Sequence, residues 1–121
     1  MDRYKFESAS KLRDYVRDYN RKKIKQEIKR VKADIKKAAK EGEDYLNIFF
    51  VDIDTVREIY AKITPELIYK GYEISCSYTT VYKSIKISWK HGGFGPYQIE
   101  ERMQEYYKTL KEIKKYADDS D

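Results

Sequence analysis

Residues 72–89, YEISCSYTTVYKSIKISW, decide the fold class. Tyr72, Ile74, Cys76 and Tyr78 alternate with other side chains, and Val81, Ile85, Ile87 and Trp89 repeat the pattern beyond Thr79 and Thr80. A period of two marks a strand with one buried face. Two such runs around a short polar break read as a β-hairpin, although the turn lacks an Asn-Gly or Asp-Gly pair. Upstream, 45–51 (YLNIFFV) supplies a third short strand. Leu46, Ile48 and Phe50 point one way and Phe49 and Val51 the other, so cover is expected on both faces.

The segments around these strands have helical spacing. Ser8 and Ser10 are candidate N-caps for a helix starting near Lys11, with Leu12, Tyr15, Val16 and Tyr19 as its first apolar stripe. From Ile24 a heptad seam runs through Ile28, Val31, Ile35 and Ala38. The step from Tyr19 to Ile24 is five residues, which slips the stripe near Asn20; a kink or a junction of two helices fits this as well as one rod. Gly42 closes the helix. Asp54 and Thr55 open a middle helix, with Asp54 as N-cap and Thr55 and Glu58 at capping-box spacing. Its buried face is Val56, Ile59, Tyr60, Ile63 and Leu67, a break is expected at Thr64 and Pro65, and Gly71 ends it. Pro96 begins a last helix, whose seam is Ile99, Met103, Tyr106, Leu110, Ile113 and Ala117, and the tail ADDSD is expected to fray.

The expected class is α+β: a small three-stranded antiparallel sheet, a long basic N-terminal helix, a middle helix and a C-terminal amphipathic helix. With 121 residues and no linker-like stretch the chain reads as one domain, divided into a basic helical region (1–43), a strand–helix–hairpin (44–90) and the C-terminal helix (96–117). Tyr provides thirteen of the eighteen aromatic residues and can serve as core edge or as contact surface.

Charge is concentrated on one element. Residues 20–40, NRKKIKQEIKRVKADIKKAAK, hold ten basic and two acidic residues, a net of +8 in a chain whose total is +5. In heptad terms Lys22, Lys29 and Lys36 form one outward row, and Lys23, Arg30 and Lys37 a second. Lys25 and Lys32 line one flank of the seam, while Glu27, Asp34 and Glu41 line the other. Opposite charges on the two flanks are what a helix pair uses to set register. The outward rows can neutralise phosphates in a salt-sensitive, largely sequence-independent way, or dock on an acidic protein surface. Lys dominates over Arg, which argues against bidentate base reading.

Catalytic chemistry is poorly supplied. His91 and Cys76 are each single, and Cys76 alternates with Ile74 and Tyr78 as a small buried hydrophobe. One cysteine permits no internal disulfide and no Cys-based zinc site. Asp52 and Asp54 lack a third ligand in register, so neither a metal nor another cofactor is expected. The loop HGGFGP (91–96) contains no nucleophile elbow or Walker motif; Gly92, Gly93 and Gly95 before a helix could present N–H groups to an anion, or simply make a turn. No apolar run reaches the ~20 residues of a membrane span and no signal h-region is present, so a cytoplasmic protein without membrane contact is expected.

The segments IKKAAKEGEDYLNI (35–48), LIYKGYEIS (67–75) and IKISW (85–89) resemble a pattern of small accessory proteins from phages of low-GC Gram-positive bacteria. That resemblance implies a non-enzymatic inhibitor, anti-CRISPR-like, that binds a host protein or nucleoprotein defence complex in the host cytoplasm. The alternatives are a direct DNA- or RNA-binding protein and a homodimer or higher oligomer built on the heptad seams.

Overall fold

A computed structural model describes residues 4–119. The element order is α1 (Ala9–Lys40), β1 (Tyr45–Phe49), α2 (Ile53–Tyr69), β2 (Glu73–Tyr78), β3 (Lys83–Ser88) and α3 (Pro96–Asp119). The α+β class and the three-stranded antiparallel sheet hold, with β3 in the centre and the order β1-β3-β2. Ile85 pairs with Ile48 on one side and Cys76 on the other, and Ile87 with Leu46 and Ile74. These residues form the sheet's inner face. Val56, Ile59, Ile63 and Ile68 of α2 join Ile85 and Ile87 in the core cluster, with Ile113 of α3 and Val31 of α1 closing it. None of the helices is long and apolar enough to cross a membrane, among the described residues.

Several boundaries differ from the sequence reading, each for a local reason. Helix α1 starts at Ala9, with the Ser8 hydroxyl accepting from the Lys11 N–H at 3.2 Å, so Ser10 lies inside it. It runs 32 residues without a break at Asn20. The slip in its apolar stripe is therefore a change of face: five residues at 3.6 per turn rotate the stripe by roughly 140° about a continuous axis. Leu12, Tyr15, Val16 and Tyr19 are all at least half exposed, whereas Ile24, Ile28, Val31 and Ile35 pack on the core.

Strand β1 stops at Phe49, and its outer face is open: Phe49 is 63% exposed and Val51 95%. Cover on both faces is not found, because all three helices lie on the inner side. Val81 belongs to the turn, not to β3, and is 93% exposed. That turn is held by the Lys83 ammonium, which donates to the carbonyls of Thr79 and Thr80 at 3.1 and 3.2 Å.

Helix α2 is capped by Asp52, not Asp54 or Thr55. The Asp52 carboxylate accepts from the Thr55 N–H at 2.7 Å and from its hydroxyl at 2.9 Å. The helix also runs through Thr64 and Pro65 to Tyr69. Pro65 has no N–H for the Ala61 carbonyl four residues earlier. The Tyr106 hydroxyl of α3 donates to that carbonyl at 2.9 Å, so the bond proline removes is replaced from another helix.

Both α1 and α2 end in the same way. Gly42 and Gly71 take left-handed φ of 87° and 92°, and the next residue's N–H reaches back six residues' span, Glu43 to Ala38 and Tyr72 to Leu67. At Gly71 a Cβ would lie 2.6 Å from the Gly93 Cα, so glycine is required twice over. The seam of α3 is as read, with Tyr106, Ile113 and Ala117 buried. The helix continues through Asp118 and Asp119; Ser120 and Asp121, the end of the tail expected to fray, lie outside the described residues.

Two measurements check this packing. Tyr106→Phe strands the Ala61 carbonyl and is expected to cost about 1–3 kcal/mol in denaturant unfolding, whereas in a Pro65→Ala background, which restores the helical N–H, the same change costs clearly less. Alkaline pH provides the second. Burial pushes Tyr60 from 10.0 to about 12 and Cys76 from 9.0 to about 12. Both groups ionise more easily when unfolded, so the stability they contribute is intact below pH 9 and is lost as pH rises toward 12. A stability profile that stays flat from pH 9 to 12 would contradict the burial of these two groups.

Candidate functional site: the outward face of the first helix

Helix α1 divides into two halves. From Ile24 onward one side is committed to the domain, and Val31 is the fully buried anchor. Before Ile24 every described residue of the helix is exposed. The helix therefore projects at its N-terminal end, while Arg17, Asn20 and Arg21 still line a groove with Asp54, Arg57, Glu58 and Lys62 of α2.

The commitment of the C-terminal half sorts its charges. Glu27 and Asp34 are half-buried and line a groove of about 290 Å3 beside β1, together with Arg30, Val31 and residues 46–49. Lys22, Lys23, Lys25, Lys29, Lys32, Lys36 and Lys37 are exposed, as is Arg30. Arg30 is 3.9 Å from Asp34, while no acidic group among the described residues lies within ion-pair distance of those seven lysines. Glu27 and Asp34 thus border β1, and the lysines of the two outward rows face solvent. All eight basic residues singled out in the sequence lie on this helix, the Lys25/Lys32 flank turning toward α2, where Lys25 lines a second groove with Asp54, Arg57 and Glu58.

The sequence reading missed the other half of this face. Counting back seven residues from Lys22 gives Tyr15, and from Lys23 gives Val16, so each basic row continues into an apolar residue on the projecting half. Leu12 and Tyr19 lie between the two rows. Their carboxylate neighbours are neutralised along the helix, Asp14 by Arg17 at 3.6 Å and Asp18 by Arg21 at 4.0 Å. The Tyr15 hydroxyl donates to Glu7 at 3.2 Å, which orients the ring. The result is one face, about 38 Å from Leu12 to Lys37, with an aromatic first half and a basic second half. The heptad step from the lysines was the available signal, but Leu12, Tyr15, Val16 and Tyr19 were read only as an apolar stripe, apart from the basic rows.

The glycine loop packs against the end of α2. Gly93 packs against Gly71, and the Gly95 N–H donates to the Gln98 carboxamide at 3.1 Å. Arg102 stacks on Phe94, with its guanidinium 5.4 Å from the ring centroid. His91 is exposed in this loop, while Cys76 lies on the inner sheet face, its thiol held protonated by burial. Among the described residues no group of three His, Cys, Asp or Glu is placed to hold a metal ion. Comparison with known proteins gives no match among family models, curated proteins or solved structures.

If the projecting half is a contact surface and not core, its apolar residues contribute little to folding. Leu12→Ala and Tyr19→Ala are expected to change unfolding free energy by less than about 0.5 kcal/mol, against about 2–5 kcal/mol for Ile113→Ala. Equal losses at the two sets of positions in urea unfolding would show that the stripe is covered.

Proposed function

We propose that this chain is a non-enzymatic binding protein that docks on the phosphates of a nucleic acid, free or held in a nucleoprotein complex, through the outward face of α1. The observation that supports this reading is the sorting of charge on the C-terminal half of α1: Glu27 and Asp34 border β1, while Lys22, Lys23, Lys29, Lys36 and Lys37 are exposed with no acidic group among the described residues within ion-pair distance. A row such as Lys22, Lys29 and Lys36 places a cation every ~10.5 Å, and the adjacent row fills the gaps. Such spacing suits an extended polyanion better than a small ligand. Exposed Tyr15 and Tyr19 add stacking area at one end. The resemblance to phage accessory proteins extends the reading to an inhibitor that occupies a host defence complex and excludes its proper partner.

Binding of duplex DNA and of single-stranded DNA and RNA, followed by anisotropy across a salt series, tests this. With six outward cations engaged, log K should fall with log salt at a slope of about −5 on duplex. Replacing Lys22, Lys29 and Lys36 with Glu should reduce the slope by about 3 and leave the circular dichroism unchanged. Retained affinity in that variant would overturn the proposal, and so would a shallow slope accompanied by capture of a protein partner that survives nuclease.

A further inference from the structure

Strand β1 is an edge strand: among the described residues the sheet order leaves one side of it unpaired. The Phe50 N–H donates to Lys83 at 2.9 Å and the Trp89 N–H to Asp44 at 3.0 Å, which fixes the parity of the ladder. In an antiparallel pair the bonded residues alternate, so Leu46 and Ile48 turn their backbone groups to β3 while Tyr45, Asn47 and Phe49 turn theirs outward. Those three residues are all exposed.

Edge strands are usually blunted by lysine, proline or a bulge. In a chain that is 39% charged, YLNIF carries no charge and no proline, and its pairing to β3 runs without a bulge. The other edge strand, β2, differs: it starts with Glu73, and Arg102 and Glu105 of α3 stand beside it.

We infer that β1 pairs with β1 of a second copy, antiparallel, about a two-fold axis through Asn47, giving a continuous six-stranded sheet. The register is self-complementary. Asn47 meets Asn47 of the other copy, Tyr45 meets Phe49, and Leu46 meets Ile48. The outward backbone groups at 45, 47 and 49 are then the bonded set, as the parity of the ladder requires. On the outer sheet face the pairing sets aromatic rings opposite one another. Lys86 already lies over Tyr45, 4.9 Å from its centroid, and Phe49 contacts Tyr82 edge-on at 5.4 Å. Across the axis these become one ribbon of cation and rings, which accounts for the 63% exposure of Phe49 in the single chain.

The flank of α1 completes the surface. The groove beside β1 is walled by Glu27, Arg30 and Asp34, level with residues 46–49. An axis at Asn47 brings the two walls toward one another, and Arg30, 3.9 Å from its own Asp34, offsets part of the acidic charge that approaches. A five-residue strand alone falls short of the ~800 Å2 per partner that a stable interface buries. The helix flank makes up part of the difference, so a reversible dimer is expected, with a mass that depends on concentration.

Sedimentation equilibrium over a wide concentration range, together with amide exchange, tests this. The mass should rise from 14.6 kDa toward twice that value. Over the same range exchange should slow at Tyr45, Asn47 and Phe49, while Leu46 and Ile48 stay protected throughout. Asn47→Lys, which sets like charges opposite each other at an exposed position, should hold the protein monomeric with its fold intact. Phe49→Lys should do the same, and adding Tyr45→Glu to it should restore the dimer by pairing opposite charges across the axis. Three results would overturn the inference: a monomer at every concentration, a dimer indifferent to Asn47→Lys and Phe49→Lys, or a dimer abolished by Val16→Glu on α1 while those amides remain unprotected.

Discussion

Pro65 creates a vacancy in the hydrogen bonds of α2, and the Tyr106 hydroxyl fills it; much of the domain's packing depends on that exchange. Helix α2 is the element that touches the sheet, α1 and α3 alike, so a break at Pro65 would divide the core it organises. A free carbonyl in a buried helix costs about 1–3 kcal/mol unless something donates to it. By supplying the donor from α3, the fold keeps α2 continuous and fixes α3 along it in one register. Tyr60 and Tyr106 then pack ring on ring at 5.5 Å, and Tyr116 meets Tyr78 of β2 at 4.9 Å. The abundance of tyrosine has a role here: each ring covers part of a thin core, and hydroxyls reach polar partners that Phe would leave unpaired.

Helix α1 is governed by a different constraint. The strand that follows ties down only its C-terminal half, where the Trp89 indole donates to the Glu43 carbonyl at 2.8 Å and clamps the turn after Gly42. The N-terminal half has no such tie. A projecting helix with exposed aromatic residues is a poor stability device, since it orders side chains without burying them. Its combination with unpaired lysines on the same rows is what turns an unburied stripe into an argument for a partner.

Much of the fold was legible from local chemistry. The period-two runs at 72–78 and 85–89 gave the hairpin, and Gly42 and Gly71 gave two helix ends, because those signals are local and need no knowledge of neighbours. Pro65 was misread for the opposite reason: the residue that rescues the helix is Tyr106, forty-one positions away, and no window around Pro65 contains it. The same holds for the five-residue step at Asn20. Spacing alone reports that the stripe changes face, but whether the backbone bends or the partner ends there depends on what lies against α1. The eight basic residues were legible as an exposed cluster because charge needs no fold to be counted. Leu12, Tyr15, Val16 and Tyr19 were not, because apolar residues at helical spacing look the same whether they face a core or water.

The two surfaces argued for α1 do not compete. Lys29 and Glu27 are two residues apart, which on a helix is roughly 200° of rotation, so the Lys22/Lys29/Lys36 row points away from the flank that borders β1. The row Lys23, Arg30 and Lys37 lies between, with Arg30 reaching the groove. Pairing through β1 would therefore use the acids and Arg30 and leave the first lysine row free. A two-fold axis at Asn47 also sets both α1 helices on the same side of the joined sheet, since each lies on its inner face. One helix offers a phosphate backbone a single line of cations; two related by that axis offer a broader basic surface from the same sequence. Charge sorting on α1 thus keeps the two surfaces apart: Glu27, Arg30 and Asp34 border β1, and the Lys22/Lys29/Lys36 row faces solvent.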